Sequence, residues 1–304
     1  MIKVQRLGHL TMETPDLEKA VSYAKDLHGL VVVYQDRHVA HLASKQGMLS
    51  LSYHQAQDVN FRSFSFEVAP ESDFKAYATV LAAEGIRSEV HTDPFPGVTE
   101  SLSFSEPDGT KIDLFKSWDF VGGNQNVAGV GPLKIGHVAL FVPDLKKKID
   151  FYTNVLGFRI SDWIGEQFVF MRCNPDHHTV NFFESDSLRL HHVAYELKDM
   201  VHVQNSCEAL SMVRVPIGWG PLRHGPGHNV AVYHRDPDDQ VIEYYCELDQ
   251  MKNEDLGYFE PRPWHVDRPQ RPKTWAPRTW ISGWGTPPAP NFGRNERALG
   301  SKNT

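Results

Sequence analysis

The 304-residue chain is long enough for about two domains and a sizeable core, and its formal charge of -7 and pI near 6.1 leave no footprint for nucleic acid or an anionic membrane. No run approaches the ~20 apolar residues of a membrane span, the opening MIKVQRLGHL lacks the apolar core of a signal peptide, and Cys173, Cys207 and Cys246 show no paired spacing, which favours a reducing cytoplasm over disulfides. What stands out is histidine, 16 residues crowded toward the second half.

In chain order, the first signal is an internal repeat. LGHLTMETPDLEKAVSYAKDLHGL begins at Leu7 and IGHVALFVPDLKKKIDFYTNVLGF at Ile135. Without a gap, His9 falls on His137, Pro15 on Pro143, Asp16 on Asp144 and Gly29 on Gly157. Each copy reads as a short strand, a Pro-Asp helix start, an amphipathic helix and a Gly stop. In the second copy Leu145, Ile149, Tyr152 and Leu156 recur at helical spacing as a buried face, and Lys146-Lys147-Lys148 reads as the solvated side. Further on, SFSFEV (63–68) matches HVAYEL (192–197), and EPDGTKIDLF (106–115) matches DPDDQVIEYY (236–245). Segments 69–90 and 198–211 each supply a second helix. The expected fold is α+β: two tandem domains, each of paired βαβββ modules forming a curved, incomplete antiparallel barrel with helices outside. The boundaries are an N-terminal domain over 1–120, a linker over 121–134 that overlaps the Gly- and Asn-rich stretch 118–133, a C-terminal domain over 135–260 and a tail over 261–304. That tail carries Trp264, Trp275, Trp280 and Trp284 among Pro and Arg. Its tryptophans argue for docking onto the body or a neighbouring subunit, with the polar 291–304 mobile.

Residues 223–245, RHGPGHNVAVYHRDPDDQVIEYY, read as a β-hairpin around a DPDD turn. Glu243 lies there in a strand of Val, Ile and Tyr, where an unpaired buried charge is costly. It either faces water from an edge strand or ligates a metal. His137, His192 and Glu243 occupy equivalent strand positions of the repeat, and the first copy has His9, Ser63 and Asp113 in their places. A Ser has replaced the middle ligand, so the first copy is expected to be metal-free. Two histidines and a carboxylate are the set that binds Fe(II) on one face and leaves the other open. The same donors suit Mn(II) and, less typically, Zn(II), while the absence of a nearby Cys argues against structural zinc. A hydrogen-bonded core histidine is the alternative for any one of them taken singly.

IGHVALFVPDLKKKIDFYTNVLGF, RLHHVAYEL and the stretch 223–245 resemble the type I extradiol ring-cleaving (catechol 2,3-dioxygenase-like) dioxygenases of the vicinal oxygen chelate superfamily. The likeness runs to about residue 260. It implies that His137, His192 and Glu243 hold Fe(II), with Mn(II) as the other possibility, and that His191 faces the opposite side of its strand. It places the acid/base histidine at His177, 15 residues before His192, with His178 as the rival. His224 and Tyr233, 19 and 10 residues before Glu243, are expected to hydrogen-bond the substrate oxygens. The implied chemistry is extradiol cleavage of a catecholic aromatic diol by O2, in a cytoplasmic homo-oligomer. The ring's distal side is expected against Phe168, Phe170, Trp163 or the tryptophan tail. Asp239 departs from the family's usual Gly two residues after Asp-Pro, though Asp tolerates left-handed turns better than most residues; Leu222 departs too. His202 is expected to be solvated on a helix and His228 to lie on a loop near the pocket, while His234 has no assigned role. The rival readings are a glyoxalase-type isomerase or lyase of the same superfamily and a metal-free ligand-binding module.

Overall fold

The computed structural model describes residues 1–122, 128–262, 268–277, 282–290 and 292. The first half runs β1 (Val4–Thr14), α1 (Leu17–Asp26), β2 (Val31–Gln35), β3 (Val39–Ala43) and β4 (Leu49–Gln55), then β5 (Asn60–Val68), α2 (Phe74–Ala83), β6 (Ser88–Phe95), β7 (Val98–Ser105) and β8 (Lys111–Phe115). The second repeats it as β9 (Lys134–Val142), α3 (Leu145–Asn154), β10 (Arg159–Ile164), β11 (Phe168–Arg172) and β12 (Val180–Glu184), then β13 (Arg189–Glu196), α4 (Met200–Met212), β14 (Trp219–His224), β15 (Val230–Arg235) and β16 (Val241–Cys246). Each helix starts on an aspartate. Asp16, Asp73, Asp144 and Asp199 accept backbone N–H bonds from the first turn, which satisfies donors a helix otherwise leaves open.

The sheet orders are β2-β3-β4-β1-β5-β8-β7-β6 and, in the same pattern, β10-β11-β12-β9-β13-β16-β15-β14. Two βαβββ modules therefore join edge to edge in each curled half-barrel. Most neighbours are antiparallel, as expected. The first and last strands of each module pair in parallel (β1 with β4, β5 with β8, β9 with β12, β13 with β16), because the helix returns the chain to run alongside its starting strand.

The tail extends the second sheet at both edges. β17 (Lys273–Trp275) pairs in parallel with β10, and β18 (Ser282–Gly285) lies antiparallel to β14. Trp275 and Trp284 sit on these strands; Trp264 and Trp280 lie outside the described residues, as does 291–304 apart from the buried Phe292.

Two expectations about polar residues need correction. Lys146 and Lys147 are solvated and pair with Asp150 and Asp144, but Lys148 is buried. Its ammonium bonds Glu106 at 2.7 Å and Asp108 at 2.8 Å across the junction of the halves, because it shares the inward face of α3 with Leu145 and Tyr152. His202 is not simply solvated either. Its Nε2 donates to the carbonyl of Val130 at 2.6 Å, tying the inter-half segment to α4.

Candidate metal centre and substrate cavity

β9, β13 and β16 are neighbours in the second sheet, and they bring His137, His192 and Glu243 onto its concave face. All three are buried, and their ligating atoms lie within 4.8 Å of one another. Glu243 Oε2 is 3.1 Å from His137 Nε2 and 3.2 Å from His192 Nε2, and the two nitrogens are 3.3 Å apart. Metal–ligand bonds of about 2.1 Å place adjacent ligands roughly 3.0–3.4 Å apart, for octahedral to tetrahedral angles. The triad fits a divalent ion.

Protonation agrees. Burial lowers the His137 pKa, so its imidazole is neutral. Burial also opposes the Glu243 carboxylate, but His137 and His192 outweigh it and hold that group well below the usual carboxylate range. Neutral imidazole and ionised carboxylate are the forms a metal requires. The free oxygen of Glu243, Oε1, accepts from Asn229 Nδ2 at 2.9 Å, a partner that orients the ligand. Nothing in GPGHNV distinguished Asn229 beforehand.

The triad opens into a cavity of about 800 Å³, within the usual range for small-molecule sites. Phe168, Phe170, Phe183 and Trp219 make apolar walls, and Pro277, Pro287, Pro288 and Phe292 of the tail cover them. Phe168 and Phe170 thus stand where expected. Trp163 does not line the cavity; its neighbour Ile164 does. His224 and Tyr233 do line it, joined by a 2.7 Å bond between Nε2 and the phenol. Asn181 is a further wall residue, its buried Oδ1 without a partner among the described residues; a polar side chain in the apolar strand TVNFFE was the signal that could have found it.

His177 is not in the cavity; His178 is. The His178 ring packs edge-on against His137 with centroids 4.2 Å apart. His177 turns away, its Nε2 3.0 Å from Asp162 Oδ2 and its Nδ1 2.9 Å from His178 Nδ1. Asp162 is fixed in turn by Trp275 Nε1 at 2.7 Å and the Lys273 amide at 2.8 Å, both from β17. His191 also departs from expectation, since it lines the cavity beside His192. The β13–β9 register slips between Leu190 and His192, and at such a bulge two residues oppose one and alternation fails. His228 stays outside, bonded to Asp249 at 2.6 Å. His234 is sealed in the core against His28 and Tyr244.

Residues 134–244 match the model of the Glyoxalase/Bleomycin resistance protein/Dioxygenase superfamily. The second half is a domain of that superfamily. Metapyrocatechase 2 of Cupriavidus necator is 27% identical over 270 residues, which cover 82% of this chain and 82% of that one. Among solved structures, the Mn(II)-bound glyoxalase from Novosphingobium aromaticivorans superposes with a TM-score of 0.83 at 24% identity, over 96% and 94% of the two chains. Homoprotocatechuate 2,3-dioxygenase from Brevibacterium fuscum gives 0.77 at 22% identity, over 96% and 92%. At these identities the structures speak for the fold. No helix among the described residues is long and apolar enough to cross a membrane.

Proposed function

We propose that this chain is an Fe(II)-dependent extradiol dioxygenase that opens a catecholic ring with O2. The observation that carries the reading is the buried His137–His192–Glu243 triad at the floor of an aromatic-walled cavity. The relationship to metapyrocatechase supports the same chemistry. His137, His192 and Glu243 would hold the ion, which when bound supplies Lewis-acid activation of the diol and a redox path to O2.

The remaining roles belong to the chain's own side chains. Asp162 accepts from His177 Nε2, so a neutral His177 presents a bare Nδ1. That nitrogen accepts the Nδ1 proton of His178. His178 is left with an unprotonated Nε2 for the cavity, the form a general base needs. It takes the proton of the second hydroxyl and returns it as the O–O bond breaks. Tyr233 and His224 orient the substrate oxygens through their shared hydrogen bond. The walls of Phe168, Phe170, Phe183 and Trp219 stack on the ring and exclude water. Both oxygen atoms enter a ring-opened semialdehyde acid.

The test is Fe(II) reconstitution followed by a panel of catechols in air, reading O2 uptake and the yellow product together. One O2 consumed per product supports the reading. Saturating diol with no O2 uptake sinks it in favour of an isomerase or lyase of the same superfamily. Parallel loading with Mn(II) decides the metal.

A further inference from the structure

A second cavity of about 410 Å³ abuts the first, and Phe141, His191 and Phe292 line both. It lies where the halves meet, between Phe61 of β5, the start of β13 and the turn before β16. Its charged wall residues among those described are Arg189, Arg235 and Asp239. Arg235 is occupied: it donates to the carbonyls of Asp239 and Phe292 and lies 3.6 Å from the Asp239 carboxylate. Arg189 has no acceptor among the described residues. Its guanidinium lies over the Phe141 ring, 3.7 Å from the centroid, and its Nη2 is buried with nothing to bond. A buried guanidinium N–H without an acceptor is costly, and a planar fork is shaped for a carboxylate. Aromatic rings lead to it from the first cavity. Phe168 stacks on Phe183 at 3.5 Å, Phe183 on His191 at 4.6 Å, and His191 meets Phe141 at 5.0 Å.

We propose that this second cavity is the distal end of the substrate site and that Arg189 binds a carboxylate there. The substrate class is then an aromatic diol whose side chain ends in an anion. The ring stays at the triad while the side chain passes His191 and lies along Phe141. Among the described residues, two positive groups against one negative give the cavity wall a formal excess of +1 (Arg189 and Arg235 against Asp239), consistent with an anionic end.

This inference rests on the dioxygenase reading, so its test has an arm that needs no turnover. Titration calorimetry on the metal-loaded protein without O2 compares 3-phenylpropanoate with its neutral amide. The wild type should bind the acid about ten- to hundredfold more tightly, the range for one hydrogen bond to a charged group. Arg189→Met should abolish that preference and Arg189→Lys retain part of it. Equal binding of acid and amide, or a preference that survives Arg189→Met, overturns the proposal. Survival would mean that the carboxylate had gone to the metal. In turnover, Arg189→Met should lower kcat/KM for 3-(2,3-dihydroxyphenyl)propanoate by a similar factor and leave catechol unchanged. A loss shared by both diols also overturns it. Failure of every diol to consume O2 removes the dioxygenase reading and leaves the binding result standing on its own.

Discussion

The two halves of this chain share one fold and differ in what their concave faces hold. Register makes the comparison strict. Ala194 pairs with Glu243 across β13 and β16, and Ser65 pairs with Asp113 across β5 and β8. Even the supporting glycines correspond: Gly136 leaves room for the Tyr245 hydroxyl and Gly8 for the Phe115 ring, at positions where any Cβ would collide. Yet in the first half His9 Nδ1 is held by Ser65 Oγ at 2.8 Å, and Asp113 is hydrogen-bonded by Ser103. Burial raises the Asp113 pKa, whereas Glu243 is held low. A buried polar cluster with internal partners needs no ion. The second half places two imidazole nitrogens and a carboxylate oxygen against each other, so its donors want a cation between them.

The largest expected effect breaks the second half at its third ligand. Glu243→Ala removes the only carboxylate of the triad. Loss of an outer partner alone costs a metal site about 10–100-fold, so bound metal and O2 uptake should both fall by more than roughly a hundredfold. Retained metal, measured by elemental analysis, would move the site elsewhere. The matching change in the first half, Asp113→Ala, should leave both untouched.

Next in size is the base. His178→Phe should lower kcat about 10²–10³-fold while metal content holds, since His178 touches His137 without joining the triad. His177→Phe leaves the cavity wall intact and should cost roughly tenfold, by freeing the tautomer of His178. Equal losses in the two variants would return the base to His177.

These two histidines mark the limit of what the sequence discloses. The duplication, the module order and the triad were legible because they rest on repeat, periodicity and ligand type, which local sequence carries. His177 and His178 were not separable because they lie outside regular strand, so strand alternation had no hold on them. His191 was placed on the wrong face for a related reason, although His192 was read correctly as the ligand. A one-residue bulge between β13 and β9 inverts the pleat, and nothing in RLHHVAYEL announces it. Lys148 was hidden by its two solvated neighbours, although its i, i+3 spacing from Leu145 puts it on the buried face. The tail could be read as docking through its tryptophans, but not as adding β17 and β18 to opposite edges of the sheet.

A smaller effect sharpens the comparison through acid stability. His9 is the counterpart of His137, buried with Ser65 Oγ as the partner of its Nδ1. Burial lowers its pKa to about 3. An unfolded histidine titrates near 6.5. Between these values the unfolded chain binds a proton that the folded chain does not, so stability falls as pH drops below about 6.5 and continues to fall toward pH 3. One such group contributes a slope of about 1.4 kcal/mol per pH unit within that window. His9→Phe should therefore flatten the dependence of urea-unfolding free energy on pH between 6 and 4 by about one proton. An unchanged slope would show that His9 is not buried neutral.

The smallest effect concerns the turn that separates the halves most visibly in sequence. Asp239 has φ +63° where the first half uses Gly109 at +91°. Both turns are closed alike: the Asp239 amide donates to Asp236 O at 3.0 Å, and the Gly109 amide to Glu106 O at 2.9 Å. Left-handed geometry costs an ordinary L-residue about 1–2 kcal/mol, and Asp less. Asp239→Gly relieves that strain but adds about 0.5–1 kcal/mol of unfolded-chain entropy. It also removes a half-exposed partner of Arg235, an ion pair of little worth. The terms nearly cancel, so the unfolding free energy should move by less than about 1 kcal/mol. Asp239→Val should lose roughly 1–2 kcal/mol, because a β-branched residue tolerates positive φ worst. Because Asp239 borders the Arg189 cavity, the glycine variant should also bind 3-phenylpropanoate slightly more tightly, with catechol turnover unchanged. Weaker binding would mean that Asp239 holds Arg235 in the pose the anion uses.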